Sequence, residues 1–352
     1  VPRGPVRLAA SGTSAGALAA AAFARTVDAS WRRTSYSALT HAAHDAVPAV
    51  SSEPELAEKD DEPETPSRVT DGDSALREVP SPMGGLPGGA SFGTLVHAVL
   101  ERADPSSVDL DAELRGHVVD QMGRFGSSGT APEELTDALL PSLRTPLGAL
   151  AGGRALADIP PSDRLVELDF ELPLRGGERP NGTTQLRDIA RLLRDHLAGD
   201  DPLARYADLL EDPVVGDAAL KGYLGGSIDA VLRIDGRYLI VDYKTNRLGA
   251  VGEPLTAWDY RSPALAEAMM HAHYPLQALL YDVALHRFLR WRLASYDPSV
   301  HLGGVLYLFL RGMCGPDVVA SDGTVPGVFA WRPPASLVVA VSDALARGVV
   351  AA

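Results

Sequence analysis

The chain has 352 residues, 45% of them hydrophobic and 22% charged, with a formal net charge of −14. That length suffices for one large or two ordinary domains with real cores. Its single cysteine, Cys314, excludes a disulfide framework and any cysteine-based zinc or iron–sulfur site, and suits a reducing cytoplasm. No apolar run reaches the roughly 20 residues that a membrane-spanning helix needs, and no secretory signal is visible. The sequence begins at Val1 rather than Met, as a fragment or a processed product does.

An acidic balance argues against a nucleic-acid partner, but the charge is uneven. Residues 51–80 hold ten acids and three bases, half of the whole excess. Only Lys59, Lys221 and Lys244 are lysines among 32 lysines and arginines. A compact ammonium differs from a guanidinium in its tunable pKa, so a lysine close to acids in this chain invites a chemical role.

Taken in order, residues 1–47 form an N-terminal segment. Its Gly12-Thr13-Ser14-Ala15-Gly16 matches the nucleophile-elbow pattern, but the alternating strands and helices of a serine hydrolase do not follow, and a Gly/Ser-rich segment is the better reading. Trp31 to Ala43 reads as a short strand and a helix, with His41 and His44 as ordinary histidines. Residues 48–90, rich in Pro, Ser, Gly and acids, read as a disordered linker.

Residues 91–352 carry the periodic signals. Phe92, Leu95, Val96, Val99 and Leu100 follow the i, i+3, i+4 spacing of a buried helix face, with His97 at its boundary. Helices are expected near 110–124, 132–143, 184–197 and 202–211. Arg164 to Leu174 alternates as a strand, with Glu167, Asp169 and Glu171 on one face. That acidic stripe is either solvated or lines a site. Pro263 to His271 is expected as a helix. A longer one starts near Pro275, which suits a first helical turn, and places Gln277 and Tyr281 on one face. Its end interleaves Arg287, Arg290 and Arg292 with Phe288 and Trp291, which suits either a nucleic-acid surface or a partly buried helix. Gly303 to Arg311 is a strand buried on both faces, and a helix near 335–349 closes the chain. The Gly-Lys-Ser/Thr of a P-loop is absent, so no ATP site is expected.

The centre of the sequence is Gly225 to Asn246. Asp235-Gly236 signals a type I′ turn, which needs positive φ at both residues. If Ile234 faces Arg237, the same register sets Asp229 opposite Asp242, with Lys244 two residues on and on the same face. Ile228, Ala230, Leu232, Ile234, Leu239 and Val241 then form the core face. Two facing carboxylates repel, and a hard cation such as Mg²⁺ would relieve them. The alternative is a different register with one aspartate solvated.

Gly226-x-x-Asp229, then Asp242-Tyr243-Lys244-Thr245, resembles the core of PD-(D/E)XK nucleases of the RecB type. Tyr274-x-x-Gln277-x-x-x-Tyr281 resembles their Gln/Tyr motif, and Gly93-Thr94-Leu95-Val96-His97 the helix that carries their histidine ligand. Asp242 to Gly249, Tyr281 to Gly312 and Trp31 to Leu39 also resemble the RecB family. The resemblance implies an α/β fold of the restriction-endonuclease-like kind, a mixed central sheet flanked by helices. It implies Mg²⁺-dependent (or Mn²⁺-dependent) hydrolysis of linear single- or double-stranded DNA, in the resection and recombinational repair of double-strand breaks. By position, His97, Asp229, Asp242 and the Tyr243 carbonyl would hold the metal. Lys244 would orient the attacking water, while Glu167, Tyr274, Gln277 and Tyr281 would support the site or position DNA. RecC- and RecD-like subunits and the recombinase RecA are the implied partners. A docking module of the same fold with little activity is the alternative. The family's helicase domains are absent here.

Overall fold

The structure, a computed structural model, describes residues 32–36, 39, 74–127, 129–174, 184–250 and 252–347. The Ser14 motif, His41, His44 and residues 48–73 lie outside them. Residues 74–90 fall within the expected linker, yet they pack onto the domain. Leu76, Met83 and Leu86 are buried, and Pro80 bridges to Thr256. The apolar residues spaced through this Gly/Pro-rich stretch are what anchor it.

Eight strands are described: β1 (Arg32–Thr34), β2 (Arg164–Pro173), β3 (Thr184–Gln185), β4 (Ala219–Leu220), β5 (Gly222–Ile234), β6 (Arg237–Lys244), β7 (Leu302–Phe309) and β8 (Val328–Trp331). The helices are α1 (Ala90–Arg102), α2 (Leu110–Phe125), α3 (Pro132–Arg144), α4 (Leu186–His196), α5 (Tyr206–Leu210), α6 (Pro213–Gly216), α7 (Ser262–His271), α8 (Tyr274–Arg292), α9 (Pro298–His301) and α10 (Ala335–Arg347). From residue 90 on, the expected helices and strands appear within a few residues of their expected bounds, while β8, the short β3–β4 pair and the one-turn helices α6 and α9 were not foreseen; the helix expected within 31–43 falls mostly outside the described residues. The main sheet has six strands in the order β1-β5-β6-β7-β8, with β2 also paired to β5. β6 and β7 run parallel, joined by the crossover through α7 and α8, and the β5–β6, β2–β5 and β7–β8 pairs are antiparallel. This is the mixed α/β sheet expected.

Each face of the sheet carries a core. On β7 every side chain is buried, as a central strand with helices on both sides requires. Val305, Tyr307 and Phe309 join α4, α7, α8 and α10 on one side. Leu306 and Leu308, with Leu239, Val241 and Tyr243 of β6, join α1, α2 and α3 on the other. These are the α8 side and the α1 side of the sheet.

The hairpin forms as the dipeptide demands. Asp235 and Gly236 have φ of 50° and 80°, and Ile234 pairs with Arg237 and Ala230 with Val241. The ladder stops there. Among the described residues, one edge of β5 is shared by β1 at Gly222–Leu224 and β6 at Ala230–Ile234. Between these two pairings, neither β1 nor β6 is aligned with residues 225–228 among the described residues. The buried face of β5 also changes at this point, since Leu224 and Ile228 pack on the α8 side but Ala230, Leu232 and Ile234 on the α1 side. This corrects the expectation that Ile228 shares one face with Ala230. β2 changes in step: Val166 packs on the α1 side and Leu168 on the α8 side. Between them Glu167 takes a left-handed φ of 48°, the backbone adjustment that rotates successive side chains across the sheet.

Candidate active site

Asp229 sits at the end of the opened edge, 6% exposed. It does not pair with Asp242 as the simple register suggested. Because β6 continues beside β7 while β5 turns away, the backbone N–H of Tyr243 has no β5 carbonyl to meet. It donates instead to Asp229 Oδ2 at 2.8 Å. His97 Nδ1 lies 3.2 Å from the same oxygen, and the His97 ring meets the Tyr243 ring edge-on. His97 reaches Asp229 from α1, where Phe92, Leu95, Val96, Val99 and Leu100 hold the helix against the sheet.

Asp242, 4% exposed, lies on the α8 side of β6. Its Oδ2 is 2.8 Å from Lys244 Nζ, which confirms the shared face expected from alternation. Apart from that ammonium, Asp242 Oδ2 has no hydrogen-bond partner among the described residues. Lys244 is enclosed. Its Nζ stands 3.9 Å from the Tyr274 ring centroid and 5.5 Å from that of Tyr307, and it donates to Gln277 Oε1 at 3.3 Å. Gln277 is in turn fixed by the Tyr307 hydroxyl, which donates to its Oε1 at 2.9 Å, and by its own Nε2, which donates to Tyr281 Oη at 3.1 Å. Pro275 stands in the first turn of α8, after His273 in a left-handed conformation at its N-cap. It therefore starts the helix that carries Gln277 and Tyr281.

The charges follow from this enclosure. Burial pushes the Asp242 carboxyl up, Lys244 pulls it back and Asp229 pushes it up again, for a net upward shift. Burial alone would depress Lys244, but Asp242, with Tyr274 and Tyr281, more than reverses this, and the side chain stays an ammonium. Tyr281 is raised by burial and by both aspartates.

The donor set fits a hard divalent cation: two buried carboxylates that oppose each other's ionisation, one with an oxygen satisfied only by an ammonium, and an imidazole beside the other. Among the described residues, no three His, Cys, Asp or Glu side chains stand ready as a metal cage. Lys244 contacts Asp242 through Oδ2.

Glu167 lies across from Asp229 on β2 but turns to accept from Ser227 Oγ at 2.7 Å. The arginine–aromatic run divides. Arg287 is tied to Ser342 and to the Pro173 carbonyl, while Trp291 is 76% exposed with the Arg292 guanidinium 5.2 Å from its ring. Tyr307 escaped the sequence reading. Its only signal there is a hydroxyl within an otherwise apolar strand.

No described helix is long and apolar enough to cross a membrane. The sequence profile described as the PD-(D/E)XK nuclease superfamily matches residues 76–321. The chain is 53% identical over 329 residues to the RecBCD enzyme subunit RecB of Mycolicibacterium smegmatis, and 52% identical over 333 residues to that of Mycobacterium tuberculosis. Each match covers 93% of this chain and 30% of the relative. The Escherichia coli subunit RecB is 34% identical over 261 residues, which is 74% of this chain and 19% of the relative. The chain thus spans under a third of the length of these relatives. With its profile match across most of the domain and the Asp229, Asp242 and Lys244 cluster on the expected strands, this chain belongs to the PD-(D/E)XK nuclease superfamily.

Proposed function

We propose that this chain is a Mg²⁺-dependent deoxyribonuclease of the exonuclease V type, the nuclease part of a RecBCD-like complex that resects double-strand breaks for recombinational repair in the cytoplasm. Linear DNA is its substrate. RecC- and RecD-like subunits and RecA are its protein partners. The observation that carries the reading is the buried Asp242–Lys244 pair beside Asp229 at the opened edge of the sheet.

Asp229, Asp242 and His97, with the Tyr243 carbonyl, would hold the metal. When bound, the ion lowers the pKa of water, polarises a phosphoryl oxygen and steadies the leaving oxygen. The rest falls to the protein. Lys244 is held as a cation by Asp242, so it does not serve as the base that takes the proton from water. Its ammonium orients the attacking oxygen and offsets the negative charge that grows on the phosphoryl group as the P–O bond breaks. Gln277 fixes the ammonium and is itself fixed by Tyr307 and Tyr281. The Tyr274 ring under Nζ removes water from one side of it, which strengthens its field at the phosphate.

The test incubates the full chain with linear single- and double-stranded DNA in Mg²⁺, Mn²⁺ or EDTA, beside Asp242→Ala and Lys244→Ala. Cleavage that needs the ion and both side chains is the expected result. Cleavage in EDTA, or full activity of Asp242→Ala, would overturn the proposal.

A further inference from the structure

The geometry points to Arg311 as a positioning residue for the metal centre, one that sets His97 against Asp229 and Asp242. The inference rests on the metal-centre reading above. Arg311 follows β7 and is 1% exposed. Its guanidinium donates from Nε to the Thr245 carbonyl at 2.6 Å, from Nη1 to Met83 and Leu86 at 2.7 and 3.2 Å, and from Nη2 to Pro87. Thr245 directly follows Lys244, and Pro87 comes three residues before α1 begins. One planar fork therefore ties the end of the strand that bears Asp242 and Lys244 to the segment that feeds the helix bearing His97.

Further bonds lock the same segment. Ser81 Oγ donates to the Arg311 carbonyl at 2.6 Å and accepts from Met83 N at 3.2 Å. The Phe92 ring in the first turn of α1 faces the guanidinium at 5.3 Å. His97 lies about 10 Å along the helix from its first residue, at 1.5 Å per residue.

The buried apolar stripe of α1 fixes which face meets the sheet, but a stripe of leucines and valines tolerates a small slide along its axis. The directed bonds at the N-terminus remove that freedom. A catalytic arrangement tolerates only about 0.5 Å of error, and the His97–Asp229 separation of 3.2 Å has little to spare. Lysine cannot replace the fork. Its ammonium has three donors and no plane, and it would leave buried carbonyls unpaired.

The test measures Mn²⁺ binding to the full chain by calorimetry without DNA, with thermal unfolding recorded alongside. Arg311→Lys weakens Mn²⁺ binding by about tenfold, the usual scale for a group that supports a ligand, while unfolding stays cooperative. Because Arg311 acts through His97, the same change in a His97→Ala background costs no more than about twofold. Arg311→Lys with unchanged Mn²⁺ affinity, or with its full effect retained in His97→Ala, would overturn the inference and leave Arg311 a purely structural group. If Arg311→Lys does not fold, Ser81→Ala decides: weaker Mn²⁺ binding that vanishes in His97→Ala supports the role, and unchanged binding overturns it. Wild type and Asp242→Ala binding Mn²⁺ equally well would overturn the metal centre itself, and Arg311's role with it, an outcome distinct from the others.

Discussion

Asp282 offers the sharpest test of the electrostatics. It follows Tyr281 on α8 but faces about 100° further round the helix, away from the Asp242–Lys244 cluster. It is 1% exposed, and neither carboxylate oxygen has a hydrogen-bond partner among the described residues. One turn on, His286 is pushed down to about 4 by burial and by Arg290 and Arg287, and its Nδ1 meets the Tyr296 hydroxyl at 2.9 Å. Burial pushes the Asp282 carboxyl up to about 8 from an ordinary value of 3.8. The folded state then holds a proton that the unfolded state has lost, throughout the window between those values. Stability must therefore fall as pH rises through it. Between about pH 5 and pH 8 the loss from this one group amounts to about 4 kcal/mol, at 1.36 kcal/mol per unit below the folded value. Asp282→Asn keeps the shape and removes the titration. Denaturant unfolding of both proteins across that range isolates the effect, because His286 and the other groups titrate in both and cancel in the difference. The wild type should lose stability relative to the variant by about 4 kcal/mol on going to the alkaline end. Two parallel stability curves would refute the assignment of a buried, unpartnered carboxyl.

Lys244→Ala leaves Asp242 buried without its ammonium, so chemical denaturation should show a loss of about 3 kcal/mol together with abolished cleavage. Gln277→Ala releases both the Lys244 ammonium and the Tyr307 hydroxyl. The cleavage rate should drop by about a hundredfold, the cost of misplacing a catalytic group by an ångström, with Mn²⁺ affinity read by calorimetry unchanged. Gly304 has a φ of 100° and a Cβ there would stand 2.5 Å from the Trp331 carbonyl oxygen. Gly304→Ala should therefore lower unfolding stability by about 2 kcal/mol, and wild-type stability in this variant would contradict the close approach of β7 and β8.

Much of this was legible from the sequence because the signals were local. Asp235-Gly236 dictated the turn, and the turn dictated the register through Val241. Alternation placed Lys244 beside Asp242, and the i, i+4 spacing placed Gln277 beside Tyr281. The miss at Asp229 has a physical origin. Hairpin arithmetic assumes that pairing continues, but β6 also pairs with β7, a strand some sixty residues later, and follows it rather than β5. The turn cannot encode that competition. Glu167 shows the same limit, since a period-two pattern cannot reveal a left-handed residue that moves the next side chain to the other layer. Arg311 reads as one more arginine at the end of an apolar strand, and its carbonyl partners lie more than 200 residues upstream or 66 away. Residues 81–87 looked like linker because Gly and Pro dominate them, whereas a buried guanidinium supplies the bonds that such a segment lacks on its own.

The stretch of β5 between its pairings with β1 and β6 has a consequence for the order in which the site assembles. At that opening, His97 from one helical layer reaches Asp229, while Lys244, held by Gln277 from the other, reaches Asp242. Tyr307, on the central strand, fixes Gln277. During synthesis His97 and Asp229 emerge before β7, but the lysine cradle cannot close until β7 has emerged and inserted beside β6. A partial chain would carry both acids without the Gln277–Tyr307 cradle around Lys244. The cradle around Lys244 therefore closes only when the sheet between the two layers is complete.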